Sequence, residues 1–267
     1  MLDCVWNSPP EELAISSGEV HIWRASLDQP TADAQWLAQA LSADERSRAE
    51  RFHFERDRLH FIVGRGVLRA ILGQYLGIKP SQLHFRYSPH GKPSLDSKGF
   101  QNPLGLSLRF NLAHSHGLAL YAITREREIG VDIERVHPMA EADQIVEQFF
   151  SAWERDVFRA LSAYQKQEVF FNCWTRKEAY LKASGRGLDW PLDKVEVSLA
   201  PGELARLLSI AGDLQEASCW SIQALTPALG YVAAVAVEGY GWQFKYWDFE
   251  LSRKLRFGLY GSLSEKH

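Results

Sequence analysis

The segment S-A-D-E-R at Ser42–Arg46 returns as S-A-W-E-R at Ser151–Arg155, and the chain after each copy runs through the same order of patterns. Each copy leads into a long helical stretch, with Phe61 and Phe171 at comparable places. A short strand follows, then two strands broken at Gly117 or Gly230. A five-residue match at a helix start recurs by chance, but the matched order of the later elements points to duplication. A unit this long carries helix and sheet together, so it implies two similar halves rather than a solenoid. The expected fold is α+β: two α/β halves related by pseudo-twofold symmetry, each a long helix packed on a small, mostly antiparallel sheet. The apolar pattern breaks at T-R-E-R-E, Thr124–Glu128, which divides the chain into residues 1–126 and 127–267.

The 267 residues suffice for one large domain or two modest ones, and a hydrophobic content of 46% supports a true core. A formal net charge of −3 gives no footing for general nucleic-acid or membrane binding. Cys4, Cys173 and Cys219 are odd in number and far apart. Neither a disulfide framework nor a metal-binding pair is expected, and a reducing, cytoplasmic setting fits. The first residues lack the basic-then-apolar order of a signal peptide, and no apolar run is long enough to span a bilayer.

Alternation predicts strands at Val20–Leu27, Leu83–Tyr87, Leu106–Asn111, Leu118–Ile123, Ile129–Val136, Lys194–Leu199, Ala217–Leu225 and Tyr231–Val237. Helical spacing predicts helices at Thr31–Leu41, Leu59–Leu76, Ala140–Phe150, Ser151–Ala163 and Phe171–Ser184. Ser42 and Glu45 have the capping-box spacing. Gly241–Phe249, G-W-Q-F-K-Y-W-D-F, alternates aromatic residues and reads as either a further strand or a tail packed on the body.

The densest chemistry lies in Phe171–Leu188, a helix by pattern that Gly185 and Gly187 end. It carries Lys177, Glu178 and Lys182, and the last two, four apart, share a face. Upstream, Asp132 and Glu134 alternate with apolar residues on Ile129–Pro138, so both carboxylates point to one side. Such alternation also describes the wet face of an ordinary strand. With Glu178 added, it describes a seat for Mg²⁺, which takes few carboxylates and completes its shell with water and substrate phosphate.

Three further groups suit a phosphate ester. Lys92 lies in the turn S-P-H-G-K-P, Ser88–Pro93, where its ammonium can reach a phosphate as a point charge. His114 lies in N-L-A-H-S-H with Asn111 and Ser115 beside it, at a strand end next to glycine. Arg46, Arg48, Arg51, Arg56 and Arg58 form a basic run, either a solvated helical face or a clamp for a terminal phosphate.

These residues resemble a known family, the large pseudo-dimeric class of 4′-phosphopantetheinyl transferases typified by the enzyme that activates surfactin synthetase. The likeness covers roughly Leu41–Val237. It rests on G-V-D-I-E at Gly130–Glu134 and on W-T-R-K-E-A-Y-L-K at Trp174–Lys182, close to the family's W-x-x-K-E-x-x-x-K. G-K-P at Gly91–Pro93 and F-N-L-A-H-S at Phe110–Ser115 fit its phosphate-handling segments. The resemblance implies transfer of phosphopantetheine from coenzyme A to a serine of an apo acyl or peptidyl carrier protein, leaving adenosine 3′,5′-bisphosphate. It implies Mg²⁺ or Mn²⁺ on Asp132, Glu134 and Glu178, with Glu178 as the base for the serine. It implies coenzyme contacts from Arg48, His90, Gly91, Lys92, Pro93, Asn111, His114, Lys177 and Lys182, Lys182 serving catalysis as well. Arg48 matches the family's position for the 3′-phosphate. Two departures weaken coenzyme contacts rather than chemistry: Ala113 replaces a common serine, and D-R-x-R becomes Asp57-Arg58-Leu59-His60. A chain of this size, duplicated within itself, is expected to be a monomer.

Two other readings stay open on sequence alone. One is a silent module of the same fold that binds coenzyme A or a carrier protein. The other is a Mg²⁺-dependent phosphohydrolase acting on a nucleotide.

Overall fold

The structure, a computed structural model, describes residues 4–96, 105–187 and 189–251. Leu188 and residues 252–267 of the expected second half lie outside the described residues. The first half opens with β1 (Glu19–Ser26), α1 (Thr31–Gln39), α2 (Ala43–Ala49) and the 22-residue α3 (Glu55–Leu76). A 3-10 turn at Pro80–Gln82 leads into the hairpin β2 (Phe85–Tyr87) and β3 (Pro93–Leu95), then β4 (Leu108–Ser115) and β5 (Leu118–Arg125).

The second half repeats that order. It runs β6 (Ile129–Arg135), α4 (Ala142–Phe149), α5 (Ala152–Arg159) and α6 (Ala163–Ser184), again 22 residues. A 3-10 turn at Leu192–Lys194 is followed by β7 (Val195–Val197) and β8 (Leu207–Ile210). After an inserted α7 (Leu214–Ser218) come β9 (Trp220–Leu225) and β10 (Tyr231–Glu238).

Local chemistry explains the matching helices. Ser42 and Ser151 each donate a backbone N–H to the glutamate three residues on, Glu45 at 3.1 Å and Glu154 at 2.7 Å. These are the two S-A-x-E-R copies, so the recurring serine and glutamate are capping boxes. Both long helices stop on a left-handed glycine, Gly77 at φ 65° and Gly185 at φ 70°, where a side chain would be strained.

Each half has its own core. In the first, Val63, Val67, Ile71 and Tyr75 of α3 pack against Trp23 and Tyr121 of the sheet. In the second, Phe170, Tyr180 and Leu181 of α6 pack against Val195, Val232 and Ala234. A third core lies between the two sheets, where Ile22 and Leu120 meet Val131, Ile133 and Val235. Each such aliphatic side chain contributes about 1.5–3 kcal/mol on full burial, so the two sheets are held together as one body.

The aromatic stretch near the end, read two ways from sequence, resolves into a strand. Gly241–Phe249 contributes β11 (Gln243–Asp248), which runs parallel to β1 in a sheet of order β11-β1-β5-β4. The stretch is therefore a strand, and it lies in the first half's sheet, across the expected division at residue 126. Its period of two explains why: Phe244 and Tyr246 face the core between the sheets, while Trp247 packs on the first half's core. The second half's sheet keeps the order β6-β10-β9.

Other boundaries also differ from expectation. The helix expected over Ser151–Ala163 ends at Arg159, because Ser162 caps a new helix with Gln165. The strand expected over Ala217–Leu225 begins at Trp220. Asp213 caps a short helix there by accepting the backbone N–H groups of Gln215 and Glu216. Strand β8 had no sequence signal strong enough to place it.

Gly130, the first residue of G-V-D-I-E, sets the spacing of the second half. A Cβ there would stand 2.1 Å from the Ala179 carbonyl oxygen and 2.3 Å from the Ala183 nitrogen. Only glycine lets β6 approach the backbone of α6 this closely, and that approach brings Asp132 beside the residues of α6.

Candidate active site

A cavity of about 450 Å³ opens where the two halves meet. The first half supplies Arg48 of α2, Phe61 and Arg65 of α3, the His90–Pro93 turn, and Asn111 and His114 of β4. The second half supplies Glu178 and Lys182 of α6 and the glycines that end it. Arg48, Lys92, Asn111, His114 and Lys182, all singled out for phosphate handling, thus line one cavity from both halves.

Lys182 is the hub. Its Nζ donates to Asp132 Oδ1, while the other carboxylate oxygen, Oδ2, is buried without a partner. Asp132 is 4% exposed. Burial raises its carboxyl to about 6, against the attraction of Lys182. Burial also raises Glu178, with Lys182 opposing and Asp132 adding to the rise. Glu134 is raised by burial too, opposed by a hydrogen bond from Ser115 Oγ at 2.9 Å. Three carboxyls share one lysine; burial first, and repulsion between neighbours second, hold them above the ordinary range. Among the described residues no three of them converge on a common point at ligand distance. The chemistry of this donor set still fits a hard divalent cation, which would satisfy the orphaned Asp132 oxygen and offset the excess negative charge.

The phosphate-side residues are held from both halves. Lys92 Nζ donates to Glu128 at 3.0 Å and to the Ala183 carbonyl at 2.9 Å, so the turn is tied to α6. Desolvation lowers the Lys92 ammonium below its ordinary value. Gly91, at φ 79°, gives the turn its shape, and Ser88 Oγ accepts the Lys92 N–H at 3.1 Å. Pro93 begins β3 and is buried. His90 packs against the turn that follows α6: a Cβ at Gly187 would lie 2.4 Å from His90 Nδ1. Loss of solvent, then the nearby His60 and Lys182, push His114 below its ordinary pKa, so a neutral ring faces the cavity near pH 7. His60, the departure from the arginine pattern, bonds Asp28 at 2.8 Å.

Asn111 has a second role, and Lys177 departs from its expected place. Asn111 lines the cavity, but its Oδ1 accepts the Val131 N–H at 2.9 Å, so it pins β4 to β6 across the seam. Lys177, expected to contact the coenzyme, does not reach the cavity. It is fully buried, 2.6 Å from Glu154, and donates to the carbonyls of Leu192 at 3.0 Å and Val195 at 2.5 Å. Its place on the helix turns it into the second half's core, away from the face shared by Glu178 and Lys182.

The basic run divides as well. Only Arg48 lines the cavity; Arg46 donates to the Gln39 carbonyl, Arg56 stands 4.0 Å from Asp28 and Arg58 is 3.6 Å from Glu55. Arg65 was not foreseen. Its signal was a charged residue inside the apolar run F-I-V-G-R-G-V-L.

Comparison with known proteins identifies the family. Residues 128–236 match the 4′-phosphopantetheinyl transferase superfamily, and residues 22–125 match the N-terminal family of 4′-phosphopantetheinyl transferases. Over 249 residues the chain is 44% identical to the 4′-phosphopantetheinyl transferase HetI of Nostoc sp., covering 93% of this chain and 100% of that protein. It is 33% identical to a putative 4′-phosphopantetheinyl transferase of Synechocystis sp., over 65% of this chain and 68% of that one. It is 27% identical to the 4′-phosphopantetheinyl transferase Sfp of Bacillus subtilis, over 67% and 76%. Among solved structures, the holo-[acyl-carrier-protein] synthase of Thermotoga maritima aligns at a TM-score of 0.34 and 19% identity, covering 42% of this chain and 62% of that one.

Proposed function

The chain belongs to the 4′-phosphopantetheinyl transferase superfamily, and on that premise we propose that the cavity between its halves holds coenzyme A for attack by a carrier-protein serine. The enzyme transfers the 4′-phosphopantetheine group of coenzyme A to a carrier protein. The serine oxygen forms a bond to the phosphorus next to pantetheine. The bond from that phosphorus to the bridging oxygen breaks, and adenosine 3′,5′-bisphosphate leaves.

Each residue's part follows from its place. Glu178 sits at the cavity wall with a carboxyl raised by burial, which suits a base that takes the serine proton near neutral pH. Lys182, four residues on, holds its ammonium between Asp132 and the cavity and offsets charge on the pyrophosphate. Lys92 and the neutral His114 orient phosphate oxygens from the opposite half. Asp132, Glu134 and Glu178 would hold Mg²⁺ or Mn²⁺, which supplies Lewis-acid neutralisation of the pyrophosphate and of the leaving bisphosphate. What remains is positioning, as in other phosphoryl transfers.

The observation that carries this reading is Lys182: it lines the cavity while its Nζ is bonded to buried Asp132. Both halves wall the cavity within one chain, which supports action as a monomer. Among the described residues no disulfide joins the cysteines, in keeping with a cytoplasmic setting, and no described helix is long and apolar enough to cross a membrane.

Intact-mass spectrometry tests the proposal. Purified protein, coenzyme A, Mg²⁺ and an apo carrier protein are mixed, with a chelator control. The expected result is a carrier mass gain of one phosphopantetheine that chelator abolishes. No gain on fatty-acid, polyketide and peptide-synthetase carriers, with coenzyme A still bound, would overturn it. Release of adenosine bisphosphate without carrier would point to hydrolysis instead.

A further inference from the structure

Arg65 takes no part in the motifs that carry the reaction, yet it is the odd residue on its helix. It lies in the apolar face of α3, is 7% exposed and lines the cavity. Its Nη1 is buried with no hydrogen-bond partner. One turn further, Arg69 is also buried, but its Nε is 2.6 Å from Glu45 and its Nη1 donates to the carbonyls of Pro80 and Leu83. Of two arginines on one helix face, the second is neutralised and the first has no carboxylate at ion-pair distance among the described residues. Taking a guanidinium out of water without a counter-charge is costly, so a site that keeps one is built to receive an anion.

The surroundings narrow that anion. The Arg48 and Arg65 guanidinium carbons lie 5.4 and 5.8 Å from the Phe61 ring centroid, and Arg65 is 5.7 Å from that of Tyr87. Two cations flank one ring on the same cavity wall, and no carboxylate pairs with either among the described residues. Paired arginines favour a doubly charged, multi-oxygen group. Coenzyme A has one such group away from its reacting pyrophosphate, the phosphomonoester on its ribose. Arg48 is the residue expected at this phosphomonoester by resemblance; we propose that Arg65 joins it there and sets a preference for coenzyme A over dephospho-coenzyme A. The proposal rests on the transferase reading above.

The test compares the two substrates in wild type, Arg65→Gln and Arg65→Lys. Arg65→Gln is expected to raise the KM for coenzyme A roughly 10- to 100-fold, the loss of one charged hydrogen-bonding group. The KM for dephospho-coenzyme A should move far less, so the preference collapses, and Arg65→Lys should restore part of it. Calorimetry with adenosine 3′,5′-bisphosphate against adenosine 5′-monophosphate makes the same comparison without any carrier, so it stands even where transfer fails. Thermal melts without ligand guard against misfolding: removing an unpaired buried charge should leave the melting temperature unchanged or higher. Equal losses for both substrates, or a wild type without preference between the two nucleotides, would overturn the role of Arg65. Absence of transfer by wild type on every carrier would overturn the transferase reading instead.

Discussion

Lys177 and Arg69 hold the same place in the two halves. Each lies on the buried face of its long helix and binds the capping-box glutamate of the helix before, Glu154 or Glu45, at 2.6 Å. Each also donates to two backbone carbonyls at the following 3-10 turn, Leu192 and Val195 or Pro80 and Leu83. One glutamate therefore starts a helix and anchors the next one, once per half. That dual use explains why S-A-x-E-R recurs.

Lys177→Met follows from this anchor. It leaves Glu154 buried and uncompensated, which costs about 3–5 kcal/mol. The KM for coenzyme A, measured on the folded protein, is expected to stay near wild type. Urea unfolding and transfer kinetics check both halves of the statement. The double change Lys177→Met with Glu154→Gln should cost clearly less than Lys177→Met alone.

Gly130→Ala probes how closely β6 and α6 approach. The new methyl would meet backbone atoms of Ala179 and Ala183, which cannot rotate away. Overpacking of this kind costs about 1–3 kcal/mol. Because it pushes Asp132 away from Lys182, transfer should fall at least tenfold even where the protein stays folded. Thermal melts paired with the intact-mass assay separate the two losses.

Asp132 gives a pH signature. Its carboxyl is raised to about 6 in the folded protein from an ordinary 3.8, chiefly by burial. The native state therefore binds its proton more readily than the unfolded chain, and this group's contribution to stability falls as pH rises from 4 to 6. Without added metal, wild type should lose on the order of 2 kcal/mol relative to Asp132→Asn between pH 4 and 7. Denaturant titrations at several pH values measure the difference, and an equal slope in both proteins would refute it. Asp132→Asn and Glu178→Gln are both expected to abolish transfer while remaining folded.

Lys92→Ala tests the turn that reaches across the seam. Lys92 already has partners in Glu128 and the Ala183 carbonyl, so its ammonium is placed before coenzyme A arrives. Its loss should raise the KM for coenzyme A about tenfold with little change in kcat. A change confined to kcat would move Lys92 from coenzyme binding to the chemical step.

Much of this protein could be read from local pattern. Periods of 3.6 and 2 and glycine stops located the bodies and ends of the long helices and most strands, because each depends on residues within a turn or two; the helices begin earlier than expected, at Glu55 and Ala163 rather than Leu59 and Phe171. D-x-E on β6 and the Glu178–Lys182 spacing on α6 located the acid cluster for the same reason. Pattern failed where one residue starts a new element against the trend, as Ser162 and Asp213 do.

The sequence alone determined two similar halves and a carboxylate cluster at their seam. Only the tertiary structure decided which charges face the cavity and which face the core. Lys177 looked like a ligand residue, but its partners lie 15 to 23 residues away in other elements. Arg65 carried no reading in the sequence, yet the fold buries it on the cavity wall with its Nη1 unbonded. The destination of β11 was equally hidden. It pairs with β1, and Arg24 bonds Asp248 across 224 positions. A charge's fate depends on what lies opposite it in space, and backbone pairing on which sheet edge is free; neither is written in local spacing.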